Sequence, residues 1–141
     1  CKTVDELLTL EKNMDISGPV TYKGLERRIN QVKSDIHKAL NGKAKNIAGF
    51  GASVTVTTLI YQYELGDKIQ FLVDENPNKE GLFSPGCRLP VYHSSALYDK
   101  RPDHTVILAW LYADAIMQKH SRYIEEGGCF VVPSSPVKIV P

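Results

Sequence analysis

The chain has 141 residues, 43% of them hydrophobic and 23% charged, which is the composition of one globular domain large enough to bury a core. Its formal net charge of +1 gives no bulk electrostatic support for a nucleic-acid or anionic-membrane partner, and no stretch approaches the roughly 18 apolar residues of a transmembrane helix. The sequence has three cysteines, no CxxC pair and no signal peptide. These features argue against a disulfide framework or a zinc ribbon and predict a cytoplasmic protein.

The first 42 residues predict two helices. Residues 3–13 have apolar positions on one helical face, and the stretch from Thr21 to Leu40 has a single apolar stripe on an otherwise charged helix. We expect residues 1–42 to form a helical segment that packs on the domain that follows. Because the chain begins with Cys1 rather than Met, we also expect it to be a piece of a longer protein. The stripe consists of Leu25, Ile29, Val32, Ile36 and Leu40.

From residue 43 onward, short and uniformly apolar runs alternate with helical stretches, which is typical of a parallel sheet covered on both faces. Strands alternating with helices imply right-handed crossovers. We therefore predict, over residues 43–141, an α/β, Rossmann-like three-layer domain with a mainly parallel five-stranded sheet of order 3-2-1-4-5, preceded by the N-terminal helices. The predicted strands are Asn46–Phe50, Ile69–Val73, Leu89–Tyr92, Thr105–Ala109 and Cys129–Val132. The predicted helices are Ala52–Leu65, Ser94–Tyr98 and Ala113–Glu126.

The sequence "GFGAS" at residues 49–53 has the form of a phosphate-binding turn between a strand and a helix. Gly49 and Gly51 would allow a tight turn and a close approach of the backbone to a ligand, and the following helix would present free N–H groups to a phosphate. Val54 stands where the third glycine of the dinucleotide fingerprint belongs, and its branched side chain would hold the helix away from the strand or crowd a pyrophosphate. Two interpretations therefore remain. The turn binds a ligand other than NAD, or it serves only to pack the helix against the strand.

Two more loops are expected beside this turn, because ligands of an open parallel sheet bind at the carboxyl ends of its strands, where the strand order reverses. Asp74 follows Gly51 by 23 residues, near the spacing of the acid that binds ribose hydroxyls in dinucleotide-binding folds. Trp110 and Tyr112 follow the fourth predicted strand. They could stack on a base or a sugar, cap the core, or meet another domain.

The sequence contains neither a catalytic constellation nor a set of metal ligands. The motifs GxSxG, the P-loop and HExxH are absent. No two of the four histidines share ligand spacing, and no acid or cysteine completes a set. We therefore interpret the histidines as structural or surface residues.

Four stretches resemble the C-terminal domain of sugar-nucleotide C-methyltransferases, over about residues 20–140: "IAGFGAS…TLIYQY", "FLVDENPNKEGLFSPGCRLPVY", "VILAWLYADAI" and "GGCFVVPSSP". The resemblance implies that a zinc-binding domain and a central domain, which binds S-adenosylmethionine and provides the catalytic acid–base residues, precede this one. It also implies that the sugar nucleotide lies between this domain and the central domain. The residues that match family motifs are Gly49, Gly51, Ala52, Ser53, Asp74, Asn76, Pro77, Lys79, Gly81, Pro85, Gly86, Pro90, Val91, Ala109 and Trp110.

Two motifs depart from the family pattern. Thr55, Val56 and Thr57 replace a lysine, a glycine and an asparagine after the glycine turn, so a cation that would pair with phosphate is lost. Leu111 replaces the asparagine of the "LAWN" motif.

The resemblance predicts the C-terminal substrate-binding domain of an S-adenosylmethionine-dependent C-methyltransferase acting on a nucleotide-linked sugar or a related small molecule. It implies no complete catalytic site and no cofactor in this chain; S-adenosylmethionine and a structural zinc are expected in the rest of the protein, whose methyltransferase domain would be the partner. The alternatives are a stand-alone domain that binds NAD or coenzyme A, and a structural or interaction domain. The candidate substrate-binding residues are Gly49, Phe50, Gly51, Ala52, Ser53, Asp74, Asn76, Lys79, Trp110 and Tyr112.

Overall fold

The computed structural model describes residues 2–42 and 45–141, and the chain forms two compact units, Cys1–Gln31 and Val32–Pro141. Residues 1, 43 and 44 lie outside the described residues, and the predicted start of the α/β domain, at residue 43, is one of them. Two helices come first, α1 (Lys2–Asn13) and α2 (Pro19–Leu40). The last part of the predicted apolar stripe, Val32, Ile36 and Leu40, is buried, whereas Leu25 is 46% exposed.

Six strands form one sheet in the order β3-β2-β1-β4-β5-β6. The pairs among β1 to β5 are all parallel, which confirms the predicted order 3-2-1-4-5. The antiparallel edge strand β6 was not predicted, because three residues are too few to show a period of two. The strands are β1 (Ile47–Phe50), β2 (Phe71–Asp74), β3 (Val91–His93), β4 (His104–Ile107), β5 (Cys129–Val132) and β6 (Lys138–Val140).

Four further helices lie between the strands, and one of the predicted helices is wrong in its extent. The predicted helix Ala113–Glu126 is interrupted at His120, whose φ of −109° and ψ of 30° are not helical. The reason is that the His120 side chain is buried and hydrogen-bonded, as described below. No helix in the described part of the chain is long and apolar enough to cross a membrane. The helices are α3 (Val54–Gln62), α4 (Ala96–Lys100), α5 (Ala113–Lys119) and α6 (Ser121–Glu125).

Both faces of the sheet are covered, since every residue of β1 and β5 is buried. On one face Phe50, Ile107 and Phe130 pack in a cluster with side chains of α4, α5 and α6. Phe50 at the end of β1 is in register with Val73 of β2 and with Ile107 of β4. The three strands therefore end side by side, and the loops that follow them meet at one edge of the sheet.

Candidate functional site

The turn after β1 is formed by Gly51, which has a φ of +110° that side-chain-bearing residues rarely adopt. Its N–H donates to the carbonyl of Val73 at 2.7 Å, which holds the turn against the end of β2. A Cβ at Gly51 would lie 3.1 Å from both Ala109 Cβ and Val56 Cγ2. The next helix begins at once, because the Ser53 hydroxyl caps α3 by accepting the N–H of Val56 at 3.3 Å.

The prediction that Val54 holds the helix away from the strand is wrong. Val54 is 86% exposed at the first position of α3, so its side chain does not separate the two elements. Val56, which is 2% exposed, makes the close contact with the turn at Gly51. The alternative effect, that Val54 crowds a pyrophosphate, stays a prediction.

Asp74, the predicted ribose ligand, is engaged by the protein itself. Its Oδ2 accepts the N–H of Ala52 at 2.8 Å and the Lys79 ammonium at 2.9 Å, and its Oδ1 accepts the N–H of Asn76 at 2.9 Å. Burial raises the pKa of Asp74, but the hydrogen bonds from Lys79, Asn76 and Ala52 outweigh this effect and leave the pKa below its ordinary value. Asp74 thus ties the end of β2 to the glycine turn.

A cavity of about 280 Å³ lies at this edge of the sheet and brings together most of the predicted residues. We refer to it as the polar cavity, because the charged side chains of Asp74, Glu75 and Lys79 lie in its wall. Its walls come from the turn after β1, from the end of β2, and from the segment after β4. It is lined by Phe50, Gly51, Ala52, Ser53, Asp74, Glu75, Lys79, Ala109, Tyr112 and Ile116.

A second and larger cavity of about 450 Å³ lies on the other side of the same turn, between α3 and the segment that leads to β3. Its walls are mostly apolar and include Leu82 and Phe83, both of which are largely exposed. It shares Ala52, Ser53 and Lys79 with the polar cavity. We refer to it as the apolar cavity; its remaining lining residues are Val54, Val56, Thr57, Leu72, Ser84, Pro85 and Val91.

Three predicted site residues line neither of these two cavities. Gly49 lies within β1, where a Cβ would meet Leu72 Cδ2 at 2.6 Å, so its role there is in packing. The Asn76 side chain caps a short 3-10 turn by accepting the N–H of Asn78 at 3.0 Å. Trp110 lines a separate depression of about 130 Å³.

Sequence reasoning did not single out Glu75, which lines the polar cavity beside Asp74. The signal available was a second acid directly after Asp74 at the end of the predicted strand. Leu82 and Phe83 of the apolar cavity follow the 3-10 turn in an irregular segment, where periodicity carries no information.

The described residues, 2–42 and 45–141, contain no group of three His, Cys, Asp or Glu side chains that could hold a metal ion. This part of the chain therefore does not fit a structural zinc, which needs four such ligands. The His37 Nε2 lies 2.7 Å from the carbonyl oxygen of Tyr63, a structural contact.

Two comparisons with known proteins agree on the class of domain. The family model described as the C-methyltransferase C-terminal domain matches residues 1–134. The C-methyltransferase NovU of Streptomyces niveus is 30% identical over an alignment of 141 residues, which covers 97% of this chain and 34% of NovU. The chain therefore spans about a third of the length of this relative.

Proposed function

The chain belongs to the C-methyltransferase C-terminal domain family, and from this membership we propose that it is the part of a methyltransferase that holds a nucleotide-linked sugar. The diphosphate lies at Ala52 and Ser53, where α3 begins, beside Lys79. The base lies in the apolar cavity, and the sugar lies in the polar cavity. The observation that carries this proposal is that a cavity with the carboxylates of Asp74 and Glu75 in its wall meets a cavity with mostly apolar walls at these three residues.

Each part of such a ligand matches the chemistry of the residues around it. Apart from the Val56 N–H, which the Ser53 hydroxyl accepts, the N–H groups that begin α3 have no preceding helical turn to accept them. With the Lys79 ammonium they suit a diphosphate. The planar faces of a base suit the apolar cavity, with Leu82 and Phe83 in its wall. The hydroxyls of a sugar require polar partners, and the polar cavity has the carboxylates of Asp74 and Glu75 in its wall.

The two carboxylates of the polar cavity, Asp74 and Glu75, are better suited to binding a ligand than to abstracting a proton. A general base works best with a pKa near the operating pH. The pKa of Asp74 is lowered because the hydrogen bonds from Lys79 and two backbone N–H groups outweigh its burial, and that of Glu75 is lowered chiefly by the hydrogen bond from Lys119. In this proposal methyl transfer, S-adenosylmethionine and any structural zinc belong to the rest of the full-length protein.

A thermal-shift panel on the 141-residue chain tests the proposal. The panel contains thymidine and uridine diphosphate sugars, NAD, coenzyme A and S-adenosylmethionine. A ligand at about 100 times its dissociation constant adds roughly 2.7 kcal/mol, which raises the melting temperature by several degrees. We expect a rise with the diphosphate sugars. A rise with NAD or coenzyme A alone would favour a stand-alone nucleotide-binding domain, an alternative that remains because the exposed Val54 does not hold α3 away from β1. No rise with any of these ligands would contradict binding by this chain.

Replacement of Tyr112 tests which aromatic residue meets the ligand. Tyr112 lines the polar cavity, whereas Trp110 lines the separate depression. We expect Tyr112→Ala to weaken binding of thymidine diphosphate glucose by about fivefold, since an aromatic contact is worth roughly 1 kcal/mol beyond its buried area. We expect this loss to exceed that of Trp110→Ala. Calorimetric titration measures both. Tyr22→Ala, which removes another exposed tyrosine, is the control, and a larger loss with Trp110→Ala would place the ligand in the separate depression instead.

A further inference from the structure

A buried histidine holds the Glu75 carboxylate at the wall of the polar cavity. Glu75 Oε1 lies 2.8 Å from the Lys119 ammonium and 3.3 Å from His120 Nε2. On the other side of the ring, His120 Nδ1 lies 3.0 Å from the Tyr98 hydroxyl. The His120 ring also packs against Phe50, with ring centroids 5.4 Å apart. Side chains from α4, the end of α5 and the residue after β2 therefore form one network.

The directions of the hydrogen bonds in this network follow from the chemistry of its members. An ionised carboxylate only accepts, so the Nε2 of His120 carries a proton and donates it to Glu75. Burial lowers the pKa of His120 despite the opposing effect of Glu75, which makes the ring neutral and Nδ1 an acceptor. The Tyr98 hydroxyl must then donate to Nδ1. With the His120 side chain only 6% exposed, the ring is fixed on both sides and so fixes Glu75.

Glu75 and Asp74 differ in what they leave for a ligand. Both oxygens of Asp74 accept hydrogen bonds from the protein, and that carboxylate closes the glycine turn. Within the described part of the chain, both partners of Glu75 bind Oε1, which leaves Oε2 as an acceptor. The Glu75 side chain is 39% exposed and lines the polar cavity, so a ligand can reach it.

We propose that Glu75 accepts a hydroxyl group of the sugar part of the ligand and so distinguishes a sugar nucleotide from the bare nucleotide. This inference rests on the proposed function and names the residue that selects the sugar. The Lys119 ammonium balances the charge of Glu75, so the carboxylate repels a nearby diphosphate less than an unpaired acid would. An O–H donated to an ionised carboxylate is a strong hydrogen bond, and its loss weakens binding by roughly tenfold to a hundredfold.

Calorimetric titration of the 141-residue chain with thymidine diphosphate glucose and with thymidine diphosphate tests the inference. The unmodified chain is expected to bind the sugar nucleotide at least tenfold more tightly than the bare nucleotide. Glu75→Gln is expected to remove that preference and to leave the affinity for thymidine diphosphate within about twofold, because the bare nucleotide does not reach Glu75. Glu75→Asp, which keeps the charge but shortens the side chain, is expected to lose the preference as well.

The control is Glu125→Gln, which removes an exposed carboxylate from α6 outside both cavities and is expected to change neither affinity. Retention of the full preference in folded Glu75→Gln would overturn the inference, and so would an equal loss of affinity for both ligands, which would make Glu75 a structural residue. An unmodified chain that binds both ligands equally would overturn the inference alone. A chain that binds neither ligand would overturn the proposed function as well.

Discussion

Gly51→Ala is expected to lower the free energy of unfolding by roughly 2–4 kcal/mol. Two effects add at this position. The φ of +110° is strained for any residue with a side chain, and the new Cβ would lie 3.1 Å from Ala109 Cβ and 3.3 Å from Ala109 N. Urea unfolding at pH 7 measures the loss, and it separates a defect in folding from a defect in ligand binding.

Two matched glycines separate strain from crowding. Gly81 has a φ of +79° with nothing near the new Cβ, so Gly81→Ala is expected to cost about 1–2 kcal/mol from the backbone alone. Gly42 has neither a positive φ nor a neighbour, so Gly42→Ala is expected to change the free energy of unfolding by less than about 0.5 kcal/mol. A Gly51→Ala chain as stable as Gly42→Ala would mean that the turn is not held as described. Because a Cβ at Gly51 would crowd Ala109 and Val56, Gly51→Val is expected to impair folding, and its effect on ligand binding would not by itself reveal a phosphate site.

Asp74→Asn is expected to lower the free energy of unfolding by about 2–3 kcal/mol at pH 7, because it removes a charged acceptor shared by Ala52 N–H, Asn76 N–H and Lys79. The effect depends on pH in a known direction. The pKa of Asp74 in the folded protein lies below the ordinary value of 3.8, so its contribution is fully present above that value and is lost as the pH falls through the folded pKa. The difference between the two proteins should therefore shrink in acid.

Urea unfolding of both proteins at about pH 7 and about pH 3 measures this difference. The control is Asp114→Asn, an exposed carboxylate in the first turn of α5, which is expected to cost less than about 0.5 kcal/mol at either pH. A loss of stability in Asp74→Asn that is equally large at both pH values would show that the carboxylate charge is not what ties β2 to the turn.

The order of the parallel strands was predictable because most of them are short apolar runs buried on both faces, such as Cys129–Val132, whose observed bounds equal the predicted ones. The prediction failed where long-range contacts decide. The helix after β4 breaks because His120 is held by Tyr98 and Glu75, which are 22 and 45 residues away in the chain. Periodicity within a window of a few turns contains no trace of such contacts.

The candidate site was predictable in its position more than in the roles of its residues. The register of Phe50 with Val73 and Ile107 brings the three predicted loops together, as strand order alone requires. Which of the two acids keeps an oxygen for a ligand was not predictable, because it depends on the hydrogen bonds that engage Asp74 and on the network that holds Glu75. The prediction that Val54 separates the helix from the strand was wrong because the burial of Val56 decides how α3 meets the turn.

The most direct test of the central claim is a map of amide chemical shifts in the ¹⁵N-labelled chain during titration with thymidine diphosphate glucose. If the ligand spans both cavities, the amides of Ala52, Ser53 and Lys79 should shift together with Leu82 on the apolar side and Tyr112 on the polar side. Saturable shifts that include both sides are the result we predict. Shifts confined to one side, or to residues remote from the shared turn such as Gly128, would contradict the account of a nucleotide-linked sugar held across the glycine turn.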